Sequence, residues 1–163
     1  MNKHFRIAWL LICFLASLVI ASCRFKSGKQ NADNAAISSK IEMMNADRQF
    51  SSMSEKEGLR NAYTEFIDSN GVLLRPGSLP MTGGDAMDFI TQSNDTSLVM
   101  TWEPKNAALS SSGDMGYTYG VYSLKRKAVD SIIYGSYVTI WKRQPNGKWK
   151  FVLQSGNEGI EAP

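Results

Sequence analysis

Beyond Ser97 the hydrophobic pattern of this 163-residue chain changes to a period of two, and nothing else constrains its fold as strongly. SLVMTWEP (97–104), GDMGYTYGVYSLK (113–125), IIYGSYVTIWKRQ (132–144) and KWKFVLQSG (148–156) alternate and are rich in aromatic and β-branched residues. Such runs, bounded by turn residues, read as strands. Pro145-Asn146-Gly147 joins the last two and reads as a type I′ hairpin turn, because Asn and Gly tolerate positive φ. Upstream the period is helical: Met43, Ala46, Phe50 and Met53, then, past Gly58, Leu59, Ala62, Tyr63 and Phe66. Asn70-Gly71 stops this second helix, GVLLRPG (71–77) reads as a short strand closed by Pro76-Gly77, and Asp85 to Ile90 as a third helix with Asp85 near its N-cap. Helices followed by long hairpin-connected strands argue an α+β fold, with helices on one face of a bent antiparallel sheet.

The first residues belong to another part of the chain. Lys3 and Arg6 precede the uncharged run IAWLLICFLASLV (7–19), and Ile20-Ala21-Ser22 lead to Cys23. A charged start, an apolar middle and small residues before a cut form an export signal. The run falls short of the roughly 20 residues that a membrane span needs. Ile20-Ala21-Ser22-Cys23 resembles the bacterial lipobox. That resemblance implies cleavage before Cys23, lipidation of its thiol and amine, and residence in the bacterial cell envelope. Two or three acyl chains, at about 0.8 kcal/mol per buried methylene, anchor a protein firmly.

Removing residues 1–22 takes away His4 and Cys13, so the mature chain has no histidine and no thiol besides Cys23. Disulfides, Cys–His nucleophiles and Cys/His metal sites are thereby excluded, and neither metal nor cofactor is expected. The charge balance falls from 18 Lys and Arg against 15 Asp and Glu to 16 against 15, which gives no argument for nucleic acid. Residues 23–38 are polar, small and aperiodic and read as a flexible tether. The domain is expected over 39–158, with a short tail at 159–163. Asn94-Asp95-Thr96 fits a glycosylation sequon but reads here as a loop.

Six segments in order carry a further resemblance: ADRQFS (46–51), EKEG (55–58), GVLLRPGSLPMTG (71–83), WEP (102–104), SSGDMGYTYGVYSL (111–124) and TIWKRQPNGKWKFVLQSGN (139–157). Together they resemble SnoaL-like, ketosteroid-isomerase-like members of the nuclear transport factor 2-like superfamily. The resemblance implies a cone-shaped curved antiparallel sheet wrapped over N-terminal helices, a pocket inside the cone, and a homodimer formed through the sheet.

Alternation puts Met115, Tyr117, Tyr119, Val121 and Ser123 on one strand face and Gly116, Thr118, Gly120, Tyr122 and Leu124 on the other. Both faces are largely apolar, so the outer one needs a cover, and a second copy supplies it. Alignment with the superfamily's pocket turns Tyr117, Tyr119, Thr139 and Gln154 inward, which leaves Tyr122 outward. Trp102 reads as a wall, and Arg75, before Pro76-Gly77, reads at the mouth, with an ion pair to Asp68 or Glu103 or plain exposure expected ahead of a ligand carboxylate. Such a lining suits a small, mostly apolar organic ligand. An isomerase- or hydratase-type enzyme is the alternative, and it requires a carboxylate base. Glu103 is the candidate base, while Asp47 is expected to pair with Arg48 or to cap. A cone filled by Phe50, Tyr63 and Phe66 would leave only a scaffold.

Overall fold

The computed structural model describes residues 3–92, 97–127 and 131–163, with side chains described from Gln30 onward. Cys23 and the 94–96 sequon, as side chains, therefore lie outside the described residues. The chain divides into two units, Met1–Ser38 and Ser39–Pro163. Helix α1 (Lys3–Glu57) contains residues 24–38, read above as an irregular tether. The stretch is helical because it has no proline and holds Ala32, Ala35 and Ala36, the strongest helix formers. Among the described residues no helix is long and apolar enough to cross a membrane.

In the second unit, α1 buries Met43, Ala46, Asp47, Phe50, Ser51 and Ser54, a stripe at steps of one, three and four. Gly58 ends it at φ 88°, a left-handed conformation that glycine adopts without cost. Helix α2 (Leu59–Phe66) follows at once and buries Ala62 and Tyr63. Strand β1 (Ile67–Leu74) and the two-residue β2 (Met81–Thr82) lead into α3 (Gly84–Gln92), which buries Ala86 and Ile90. Long strands β3 (Leu98–Leu109), β4 (Met115–Arg126), β5 (Ile132–Arg143) and β6 (Trp149–Glu158) complete a six-stranded sheet of order β2-β1-β6-β5-β4-β3. The fold is α+β, as the change of period requires.

Two details differ from the expectation. The sheet is mixed, since β1 runs parallel to β6 with Leu73 opposite Gln154. These strands are joined through the whole intervening chain, so no tight turn forces them antiparallel. The 144–147 turn is not type I′ either. Pro145 holds its φ near −65°, and among the described residues no residue except glycine has positive φ. Only Gly147 is left-handed (φ 82°), and its N–H donates to Gln144 O at 2.8 Å.

The narrow end of the core is aromatic. Phe50 lies 4.6 Å from Trp102, 4.9 Å from Tyr63, 5.2 Å from Phe66 and 5.4 Å from Phe151 between ring centroids. Helix and sheet rings fill this end, and the open space lies elsewhere.

Candidate functional site

That space is a cavity of about 360 Å³ between the sheet and α2 and α3. Leu59 and Tyr63 from α2 and Phe89 and Ile90 from α3 roof it. Leu73, Met100, Tyr122, Leu124, Tyr137 and Gln154 project from the sheet, and Arg60, Arg75, Pro76 and Glu158 also border it. Mostly apolar walls with a few polar groups are the usual form of a small-molecule site.

Two irregularities decide which side chains reach it. In β6 the register skips Val152: Trp141 pairs with Phe151 and Ile140 with Leu153. This bulge changes the strand's parity, so Phe151 and Gln154, three residues apart, both face inward. In β4 the glycines choose the face. A Cβ at Gly116 would collide with Met43 of α1, and one at Gly120 with the Glu103 carbonyl and the Tyr137 ring. The face bearing the glycines therefore lies against the helices, and Tyr122, sharing it, points inward.

This reverses the expected assignment of β4. Tyr117 and Tyr119 are on the outer face, 45% and 46% exposed, with ring centroids 6.4 Å apart. Tyr122, expected outside, lines the cavity with its ring lying over Gly135 of β5, where a Cβ would strike it. Alternation by itself cannot distinguish the two faces, and both carry tyrosines. Thr139 is fully buried but does not border the cavity, and among the described residues its hydroxyl has no hydrogen-bond partner. Trp102 packs on Phe50 rather than walling the cavity. Arg75 and Gln154 both line it.

Arg75 forms the polar centre. Its Nη2 donates to Gln154 Oε1 at 2.8 Å and to the Tyr63 hydroxyl at 3.0 Å, and its Nη1 donates to Leu74 O at 2.9 Å. The guanidinium carbon is 5.7 Å from the centroid of the Tyr63 ring, close enough for a cation–π contact. Tyr63 in turn donates to Gln154 Oε1 at 2.5 Å. Burial, and the Glu158 carboxylate next, push the Tyr122 hydroxyl above its ordinary pKa, so it is a neutral donor.

Behind the cavity wall sits Asp47, fully buried. Trp102 Nε1 donates to its Oδ1 at 2.7 Å and the Tyr137 hydroxyl to its Oδ2 at 2.8 Å. It neither pairs with Arg48 nor caps a helix. Arg48 instead pairs with Glu103 at 2.9 Å, on the surface. Burial raises the Asp47 pKa against the lowering effect of its hydrogen bonds, and burial together with the Asp47 charge raises Tyr137. Glu103 is 62% exposed in its side chain and does not border the cavity, so the expected base is misplaced. Tyr63, Tyr122, Tyr137 and Asp47 were absent from the expected site. Helical spacing could have found Asp47, because Met43, Asp47 and Phe50 share one face. The paired glycines of β4 could have found Tyr122.

No family model matches the sequence, and no curated protein matches it significantly. Solved structures do. A ketosteroid isomerase-like protein from Erwinia carotovora atroseptica superposes with TM-score 0.58 at 15% identity, covering 73% of this chain and 95% of its own. An NTF2-like protein of unknown function from Pseudomonas putida gives TM-score 0.62 at 10% identity, covering 77% and 89%. A Catenulispora acidiphila protein in complex with S-DNPA gives 0.55 at 14%, covering 72% and 91%. At these identities the likeness concerns the fold, and the second unit of this chain has the cystatin-like fold of nuclear transport factor 2-like proteins.

Proposed function

We propose that the chain is an exported lipoprotein of the bacterial cell envelope, anchored at Cys23, whose folded domain binds a small, mostly apolar organic ligand. The carrying observation is the cavity. Its volume of about 360 Å³ survives the aromatic packing of the narrow end, and apolar side chains from α2, α3 and four strands line it. A pure scaffold gains nothing from keeping this space open, because close packing of side chains is what stabilises an interior.

Binding is favoured over isomerase or hydratase chemistry by where the carboxylates lie. That chemistry needs a base touching the substrate. Among the described residues Glu158 is the one carboxylate bordering the cavity, and it stands near the end of β6. Asp47 is engaged by Tyr137, Trp102 and Thr118 and does not border the cavity.

A second copy of the chain is the proposed cover for the outer sheet face. Four strands about 4.8 Å apart and up to twelve residues long span roughly 19 by 40 Å, close to the ~800 Å² per partner of a standard interface.

The ligand reading is tested by a thermal-shift screen of the full-length protein against neutral and charged apolar compounds of various ring and chain types. A compound at 100 times its Kd should stabilise the domain by about 2.7 kcal/mol, a shift of several degrees. If no class of compound moves the unfolding temperature, the binding reading fails.

A further inference from the structure

The chemistry of the ligand's polar end can be read from what the cavity leaves unsatisfied, an inference that rests on the ligand-binding reading above. Arg75 is held by three neutral acceptors, and among the described residues no carboxylate lies within ion-pair distance of it. Arg48 and Arg143, by contrast, are paired with Glu103 and Glu42. A partly desolvated cation without a counter-ion is costly, which leaves a place for a negative charge.

Gln154 supplies the second observation. It is only 5% exposed, and its orientation is set by chemistry, because arginine can donate but not accept. The amide oxygen must therefore face Arg75 and Tyr63, and the Nε2 amide must point away from them. Among the described residues Nε2 has no hydrogen-bond partner, yet it is not sealed off, since the sealed unpartnered atoms are Thr139 Oγ1 and Trp149 Nε1. The Tyr122 hydroxyl stands in the same condition. The unused groups of Gln154 and Tyr122 are thus donors beside one unpaired cation, and the Glu158 carboxylate is the one acidic group that shares the cavity with them.

We infer that the ligand is an amphipathic monocarboxylate, its carboxylate taken by Arg75 with the Gln154 amide and Tyr122 hydroxyl, and its apolar body lying between Tyr63, Phe89 and Leu124. Of the charged groups bordering the cavity, Arg60 and Arg75 outnumber Glu158 by one. That balance suits a monoanion better than a phosphate, whose two charges recruit clusters of arginine. At ~30 Å³ per water-sized group, the volume holds roughly a dozen non-hydrogen atoms. A medium-chain or aryl-substituted alkanoic acid has that size.

The test uses the full-length chain in lipid nanodiscs and two soluble probes of equal size, 4-phenylbutanoate and 4-phenylbutanamide, measured by calorimetric titration. The acid should bind at least ten-fold more tightly than the amide, since a charge-assisted hydrogen bond exceeds a neutral one by about that factor. Arg75→Met should abolish the difference between acid and amide, whatever the remaining affinity of each. Gln154→Glu, which places a carboxylate against Arg75 without changing volume, should do the same and guards against misfolding of the first variant. Equal binding of acid and amide to the unaltered protein overturns the monocarboxylate assignment and leaves the apolar site intact. If neither probe binds, the assignment also falls, and the cavity reading is decided by the neutral compounds of the thermal screen.

Discussion

Asp47 shows how one side chain can be both buried and structural. Among the described residues it is the only ionisable carboxyl in the core, and the donors Trp102 and Tyr137, with Thr118 as a further partner, are buried with it. Removing the carboxyl orphans both donors, so Asp47→Ala should destabilise by about 2–5 kcal/mol in chemical denaturation. Asp47→Asn keeps the shape and removes the charge. Burial raises the folded pKa, so the native state holds its proton more tightly than the unfolded chain does. The stability this adds is fully present below the unfolded value of about 3.9, and it is lost as pH rises through the raised folded value. Relative to Asp47→Asn, the unaltered protein should therefore weaken from about pH 4 upward until the raised folded value is passed, and level off above it. A stability difference that stays constant with pH would show that Asp47 does not titrate in this way. The Met43, Ala46, Phe50 stripe was legible in the sequence, whereas Asp47 beside it reads there as a partner of Arg48 or a cap. Its partners were not legible, because Trp102 and Tyr137 stand 55 and 90 positions away in the chain.

At the scale of elements, period and turns located the strands, but they could not say which face of each strand looks inward. The inward face of β4 is decided by Gly116 and Gly120, on which Met43 and the Tyr137 ring lie. In β6 it is decided by a bulge at Val152 that no residue type announces. In an unbulged strand Gln154 and Phe151, three residues apart, would face opposite ways, whereas the bulge puts them on the same side. The outward face of β4 then carries Met115, Tyr117 and Tyr119, all substantially exposed. If a second copy covers this face, light scattering should give twice the monomer mass, after correction for detergent. The double change Tyr117→Lys with Tyr119→Lys should halve it, because opposed lysines at a two-fold contact repel. A dimer that survives both changes is formed by some other surface, and a monomeric unaltered protein removes the proposal.

For the whole molecule, the export and anchoring proposal stands on Ile20-Ala21-Ser22-Cys23. Mass spectrometry of the protein from a bacterial host should find a mature chain starting at residue 23 with lipid on Cys23, and Cys23→Ser should retain residues 1–22. An unmodified Cys23, or a start elsewhere, would end that proposal. Local order was set by sequence alone: two amphipathic helical stretches, a short strand and four long strands. These follow from side-chain periodicity and composition, which act between near neighbours. The cavity depended on tertiary structure. Whether Phe50 would fill the interior or leave room beside it, and whether Arg75 would meet a carboxylate or only Tyr63 and Gln154, turned on contacts between residues far apart in the chain, Phe50 with Phe151 and Arg75 with Gln154, 79 positions on. Volume and charge balance inside a fold are sums over such distant partners, and they exist only once the sheet has curved over its helices.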